Sequence, residues 1–356
     1  MHHLRDALLS PSPKGPPELT MLDSQALDRQ DIRECAARGE FEEMRGAAFY
    51  NRTWIVTERY CNGDGVDSLE GYVHSLWHMY YQLGRHTSHE TRDHDRLVLD
   101  VVRIQGLGPL TRPVKGVFGI DIARTVEGTL WNDLPFLATD MTAFWIESSA
   151  TMSSAQRLNL ASFLAKLAST RVAKDRICQV ALVLFRPLFE DYPIDLRIPD
   201  QAYDVEDTHR GIRDLDVEQL LPSVCVWLKE AGHNLVLLSD VHWNDCPSEI
   251  GQGGPVFTES EFGKRSPTGF TPWRWMYWLK RLHEIKEEAK QANETSLEEQ
   301  AADAIGFMTR DAKERNSGIL RAYQNGGDLL RNDKHLSCLG DDDAMQGETT
   351  EGDEAE

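Results

Sequence analysis

The chain predicts an all-α protein, a multi-helix bundle or orthogonal helical array, and three observations carry that expectation. Apolar residues recur at three and four positions in six or more segments, start and stop signals sit at several segment ends, and little of the chain alternates as a half-buried strand would.

The sharpest segment is DSLEGYVHSLWHMYYQLG, where Leu69, Tyr72, Val73, Leu76, Tyr80 and Leu83 fall on one stripe of a 3.6-residue helix. Asp67 with Glu70 three positions on reads as a capping box, and Gly84 suits a left-handed C-terminal cap. Further stripes run through Leu97, Val98, Val101 and Ile104; through Leu160, Phe163, Leu164 and Leu167; and through Val180, Ala181, Leu184 and Leu188, where Pro187 should kink or end the helix. From Val217 the pattern continues through Leu220, Leu221, Val224 and Leu228 until Gly232 weakens it. Ser296 with Glu299 reads as another capping box, ahead of Leu297, Ala301, Ala304, Ile305, Met308 and Ala312. Two stretches, RTWIVTERY at 52–60 and VKGVFGIDIA at 114–123, suit short strands or irregular loop and helix.

Residues 1–20 lack periodicity, and the chain from 332 turns polar and then acidic. This organisation predicts a single helical domain over 21–331 between disordered tails at 1–20 and 332–356. The 58 acidic and 38 basic residues give a formal charge of −20, which repels phosphate backbones and anionic membrane surfaces. Neither nucleic acid nor a membrane is expected as a partner. Six scattered cysteines without a C-x-x-C pair read as reduced thiols, and the absence of a signal-like or membrane-length apolar run places the expected location in the cytoplasm or nucleus.

The segment TPWRWMYW, residues 271–278, concentrates three tryptophans in eight positions. Thr271 is a good N-cap and Pro272 a good first helical residue. Helical projection puts Trp275, Trp278, Leu279, Leu282 and Ile285 on one face and Trp273 and Tyr277 on the other, beside Arg274. Either the helix start lies between two layers of core, or Trp273, Tyr277 and Arg274 form a binding patch for a ligand or partner chain.

Several blocks resemble DUF3632, a fungal family of uncharacterised proteins. They are SLWHMYYQLGRHTSHETRDHDRLVLDVVRIQGL, LNLASFLAKL with its central asparagine, VCVWLKEAG, GPVF, and GFTPWRWMYWLKRLHEI; the likeness spans roughly residues 65 to 310. The resemblance implies a helical intracellular domain with no established reaction, so no catalytic residues carry over from it. It also implies, through relatives that look to be encoded beside secondary-metabolite pathways, an accessory role there.

Among chemistry-bearing residues, Glu70, His74 and His78 are spaced by four on one helix and constitute a candidate metal site, because i, i+4 histidines can chelate zinc. The alternative is a solvated polar face opposite the apolar stripe. The following loop adds His86, His89, Glu90, Asp93 and His94 but lacks H-E-x-x-H. DVHWNDC, with Asp240, His242, Asp245 and Cys246, holds the residue types of a cysteine nucleophile, yet closeness in sequence is no evidence that they converge. Phosphate-loop, dinucleotide, nucleophile-elbow and kinase signatures are absent. The sequence therefore supports a helical protein acting through protein or small-ligand contacts, with no cofactor expected; an enzyme or accessory of unknown chemistry in fungal secondary metabolism is the alternative.

Overall fold

The computed structural model describes residues 21–114, 116, 119–191 and 215–340; the expected tail at 1–20 and the acidic run at 341–356 lie outside them. The described chain is predominantly helical. In order come α1 (Met21–Ala37), α2 (Phe41–Gly46), α3 (Thr53–Asn62), α4 (Glu70–His86), α5 (Arg92–Gly106), α6 (Leu137–Ser148), α7 (Ser154–Ser169) and α8 (Gln179–Phe189). There follow α9 (Val217–Asp240), the short α10 (Ser248–Gly251), α11 (Pro255–Glu259) and α12 (Glu261–Arg265), then α13 (Pro272–Ala292), α14 (Thr295–Glu314), α15 (Gly318–Asn325) and α16 (Asp328–Arg331). Among the described residues no helix is long and apolar enough to cross a membrane.

Among the described residues, strands form two small antiparallel pairs, β1 (Thr111–Pro113) with β2 (Ile120–Ile122) and β3 (Arg124–Thr125) with β4 (Gly128–Thr129). The stretch at 114–123 thus contributes one short strand, whereas RTWIVTERY is helical, continuing from a π-helical turn at Ala47–Arg52 into α3.

Helix α4 is the hub. It packs against α1, α2, α3, α5, α6 and α7, and no residue in it is exposed. Two of its expected boundaries differ. The Asp67–Glu70 box does not form, because a 3-10 turn at Val66–Ser68 precedes the helix and Leu69 occupies the cap without a side-chain bond. Gly84 lies inside the helix, where a Cβ would stand 2.7 Å from Cδ1 of Phe163 on α7. Its glycine permits the close approach of two helices and ends nothing. Gly232 acts similarly within α9, facing the Asp311 carboxylate on α14. The Ser296–Glu299 box is also absent, since α14 begins at Thr295 with no side-chain cap.

Around α7, α9, α13 and α14 the predicted stripes pack together: Leu164, Leu228, Leu282 and Met308 are all fully buried. Thr271 caps α13 as expected, its hydroxyl accepting from Arg274 N–H at 3.1 Å. The helix start lies between two layers. Trp275 and Trp278 are fully buried on one side; on the other, Tyr277 is 5% exposed and sits between the rings of Phe257 and Phe262. Trp273 is partly exposed and covered by the Arg265 guanidinium at 4.3 Å.

Arg274 carries the lock that holds this region. Its side chain and that of Glu190, at the end of α8, both have zero exposure. The fork is bidentate, Nε to Oε1 at 2.7 Å and Nη2 to Oε2 at 2.9 Å. Nη1 donates to the carbonyls of Gly251 and Gly269 at 2.8 and 3.0 Å. Trp278 Nε1–H and the Gly254 N–H donate to the same carboxylate at 2.6 and 2.9 Å. A buried ion pair repays its desolvation only when the remaining donors and lone pairs are satisfied, and here they largely are.

Residues 332–340, placed in a tail by the sequence pattern, are packed: Leu336 and Leu339 are buried, and Lys280 meets Asp333 at 2.7 Å.

Removing one partner of the lock strands the other charge. Glu190→Ala should cost about 3 to 5 kcal/mol in denaturant unfolding, and Trp278→Ala a similar amount through its cavity; a loss below about 1 kcal/mol for Glu190→Ala would contradict the buried pair.

Candidate functional site

The residues singled out on α4 do not converge on a common point. His74 turns to α6, its Nδ1 standing 2.8 Å from Oδ2 of Asp140. His78, one turn on, is 6% exposed and sits between the rings of Phe144 and Tyr81. Its Nε2 is 3.4 Å from Gln82 Nε2, and Nδ1 has no hydrogen-bond partner. Glu70, in the first turn, is partly exposed. Among the described residues no group of three or more His, Cys, Asp or Glu is placed to hold a metal ion. The solvated face expected for these histidines is also absent, because α1 and α6 cover it.

A strained loop supplies the wall beside His74. Trp131, Leu134 and Phe136 all have positive φ, at 65°, 49° and 66°, in a segment without glycine. Such non-glycine residues cost about 1 to 3 kcal/mol each and persist only where the surroundings over-determine them. The surroundings do so here. Trp77 Nε1–H on α4 donates to the Pro135 carbonyl at 2.8 Å, Phe136 N–H donates to Glu127 Oε2 at 3.1 Å, and Asp133 accepts from Thr129 N–H at 2.8 Å and meets Lys174 at 3.0 Å. The result lays the Phe136 ring 4.5 Å from the His74 imidazole.

The two histidines are driven apart electrostatically. The Asp140 hydrogen bond raises the His74 pKa above its ordinary value, while burial, then the nearby Arg29 and Arg33 charges, push His78 down to about 4. Burial raises the Asp140 carboxyl even though His74 pulls it the other way. Neighbouring groups whose environments separate their pKa values are a mark of acid–base sites. With Nδ1 engaged by Asp140, Nε2 is the second ring nitrogen of His74, whose side chain is 26% exposed. An imidazole oriented by a carboxylate can accept a proton there or anchor a polar ligand.

Other candidates resolve into structure. His89 and His94 fix the loop after α4 onto α7. The backbone N–H and Nδ1–H of His89 donate to Asn159 Oδ1 at 3.0 and 3.1 Å; His94 Nε2–H donates to the Asn159 carbonyl at 3.1 Å, and burial holds His94 neutral down to about 4. In DVHWNDC the groups point apart: Asp240 accepts from Gly318 N–H at 2.7 Å, His242 is exposed, and burial raises the Cys246 thiol. Cys338 lies 3.7 Å from His283 Nε2, a pair no sequence motif announced, yet burial raises the thiol and lowers the imidazole, which favours the neutral pair over a reactive thiolate. Arg274 and Tyr277 of the sequence-level patch are buried, leaving Trp273 alone partly accessible.

Asp140, Glu127 and Phe136 were missed in the sequence. One signal was available: Asp140 is the sole charged residue in the apolar run LPFLATDMTAFWI, 134–146.

These shifts fix the sign of the pH response. The fold keeps His78 and His94 neutral, so their contribution is present above about 6.5 and is lost as pH falls toward about 4. That of His74 is present at low pH and is lost as pH rises through its raised pKa. Imidazole NMR titration should place His74 above 6.5 and His78 near 4, with Asp140→Asn returning His74 toward the ordinary range. A His74 midpoint at or below 6.5 would show that the dyad does not form.

The chain is 58% identical over 340 residues, 95% of its own length and 94% of the relative's, to Oxopyrrolidines biosynthesis cluster protein G of Penicillium oxalicum (strain 114-2 / CGMCC 5302). No solved structure matches. The model of DUF3632, a protein of unknown function, matches residues 77–282, a span that contains His78, Asp140, Glu190 and Arg274, with His74 just before it. The chain belongs to the DUF3632 family.

Proposed function

We propose that the chain is an accessory protein of fungal secondary metabolism that binds a small polar metabolite at the His74–Asp140 dyad. The near full-length identity to a protein named for an oxopyrrolidines biosynthesis cluster carries this reading. The physical support is the character of the dyad. Asp140 holds the imidazole in one tautomer, the Phe136 ring restricts its rotation, and Nε2 is left to meet a ligand. An oxopyrrolidine offers a ring carbonyl and amide, groups that a fixed imidazole can hydrogen-bond.

The same dyad favours a second reading, in which His74 is a general base in a biosynthetic step and Asp140 stabilises the imidazolium that forms. The two differ in magnitude. Loss of one ligand hydrogen bond costs about tenfold, whereas loss of a general base costs about a hundredfold or more.

A Penicillium oxalicum strain lacking protein G supplies the test. This chain should restore oxopyrrolidine production, and His74→Gln should reduce the restored level by one of those two factors while the protein stays folded. Full production without protein G, or full restoration by His74→Gln, would refute the role of the dyad.

A further inference from the structure

Strands β3 and β4 are joined by a tight turn, Val126 and Glu127, and the Glu127 carboxylate reaches from that turn to the start of α6. We propose that Glu127 is a positioning residue of the His74 site, an external cap of α6 that sets both Phe136 and Asp140 against the imidazole. The inference rests on the reading of the His74–Asp140 dyad as the functional site.

Helix α6 does not cap itself. Its N-cap residue, Phe136, has left-handed backbone and makes no side-chain cap bond, so its N–H needs an acceptor from outside the helix. Glu127 supplies one: Oε2 accepts the Phe136 N–H at 3.1 Å, and Oε1 and Oε2 accept the Thr139 hydroxyl at 2.8 and 2.9 Å. It thus plays the part that a capping-box glutamate plays from within a helix, and its charge suits the positive end of the helix dipole. The first turn follows from this anchor. Asp140 N–H donates to the Phe136 carbonyl at 2.8 Å, so the place where α6 starts decides where Asp140 stands. Both residues meet the same ring, Phe136 at 4.5 Å between centroids and Asp140 at 2.8 Å from Nδ1.

Glu127 is itself held from two sides. Within the hairpin, Thr125 Oγ1 accepts the Glu127 N–H and donates to the Gly128 carbonyl, both at 3.1 Å. Gly128 has a φ of 137°, and a Cβ there would stand 2.7 Å from Cβ of Asp133, so the hairpin is pressed against the strained loop. From the other side Arg176 Nη1 stands 3.9 Å from Oε2. Arg176 follows a second strained turn, in which Arg171, Ala173, Lys174 and Asp175 all have positive φ without a glycine. Asp175 fixes that turn by accepting from Arg171 Nη2 at 2.7 Å and from Asn234 Nδ2 on α9 at 3.1 Å, and Lys174 ties it to Asp133. Strained backbone of this kind persists only where its surroundings over-determine it. Here two such segments meet at Asp133 and Glu127, and Glu127 passes the constraint to α6.

The test follows the His74 signal by NMR in the full chain with histidine-selective isotope labelling, assigned through His74→Gln. Phe136→Leu defines the ring-current contribution of Phe136 to that signal. Glu127→Ala should lose most of this contribution. Thr139→Val, at an exposed position and with the carboxylate still in place, should lose a smaller part of it. Glu127→Gln should keep it, because the amide oxygen can still accept the Phe136 N–H while the amide N–H donates to Thr139 Oγ1; rescue by glutamine separates the cap from the charge. A merely stabilising side chain would lower the melting temperature on truncation and leave the signal of the folded protein where it was. An unmoved His74 signal in Glu127→Ala, or in Thr139→Val should Glu127→Ala not fold, would overturn the proposal, as would equal losses in Glu127→Ala and Glu127→Gln. Failure of the dyad reads differently: Asp140→Asn would then leave the His74 signal and its pH midpoint as in the wild type.

Discussion

Helix α4 has no outer face, and much of the molecule follows from that constraint. Other helices cover it along its length, so its apolar stripe supplies only part of its packing, and most of its polar side chains are drawn into contacts inside the protein. Trp77 finds the Pro135 carbonyl and so fixes a strained loop; His74 finds Asp140; Gly84 gives up a side chain so that Phe163 can approach. The same enclosure separates the pKa values of two histidines one turn apart, because one has a hydrogen-bonded carboxylate beside it, whereas burial and then the Arg29 and Arg33 charges act on the other.

Two buried polar clusters invite comparison. Around Glu190 and Arg274 the hydrogen bonding is closed: both carboxylate oxygens and the arginine fork are engaged by α8, α13 and the glycine-rich loop between them. Arginine suits the position because a planar fork meets a carboxylate and two carbonyls at once, which the single ammonium of lysine cannot do. Such a cluster specifies structure. Around His74 and His78 the bonding is open, with His74 partly accessible and His78 Nδ1 unpartnered. An incomplete polar cluster beside strained backbone is the more natural place for a ligand.

Much of the fold was legible because the stripes at 97–104, 160–167, 217–228 and 297–312 follow the helical period, and period survives in a single sequence. Helix ends were less so. Asp67 and Ser296 have the composition of capping boxes, but the chain enters α4 through a 3-10 turn and α14 begins at Thr295, choices made by tertiary packing. Gly84 looked like a helix cap and Gly232 like a weak point in its helix, because a sequence does not show which helix will press against them. The tryptophan-rich segment was half legible. Its start signal and two faces were readable, but its second layer comes from Phe257 and Phe262, residues whose place depends on the fold of α11 and α12. Of the proposed site, His74 stood out in the sequence only within a candidate metal set with Glu70 and His78, and its partner was illegible: Asp140 is 66 residues from His74, and only its isolation in an apolar run marked it.

The enclosure of α4 is the claim on which the site rests, and native-state hydrogen exchange measures it directly. Amides from Val73 to Leu83 should exchange only through global unfolding, with the free energy of the slowest amides in the chain. Exchange of those amides by local opening, at rates typical of partly exposed helices, would show that α4 is a surface element and that the environment assigned to its histidines does not exist.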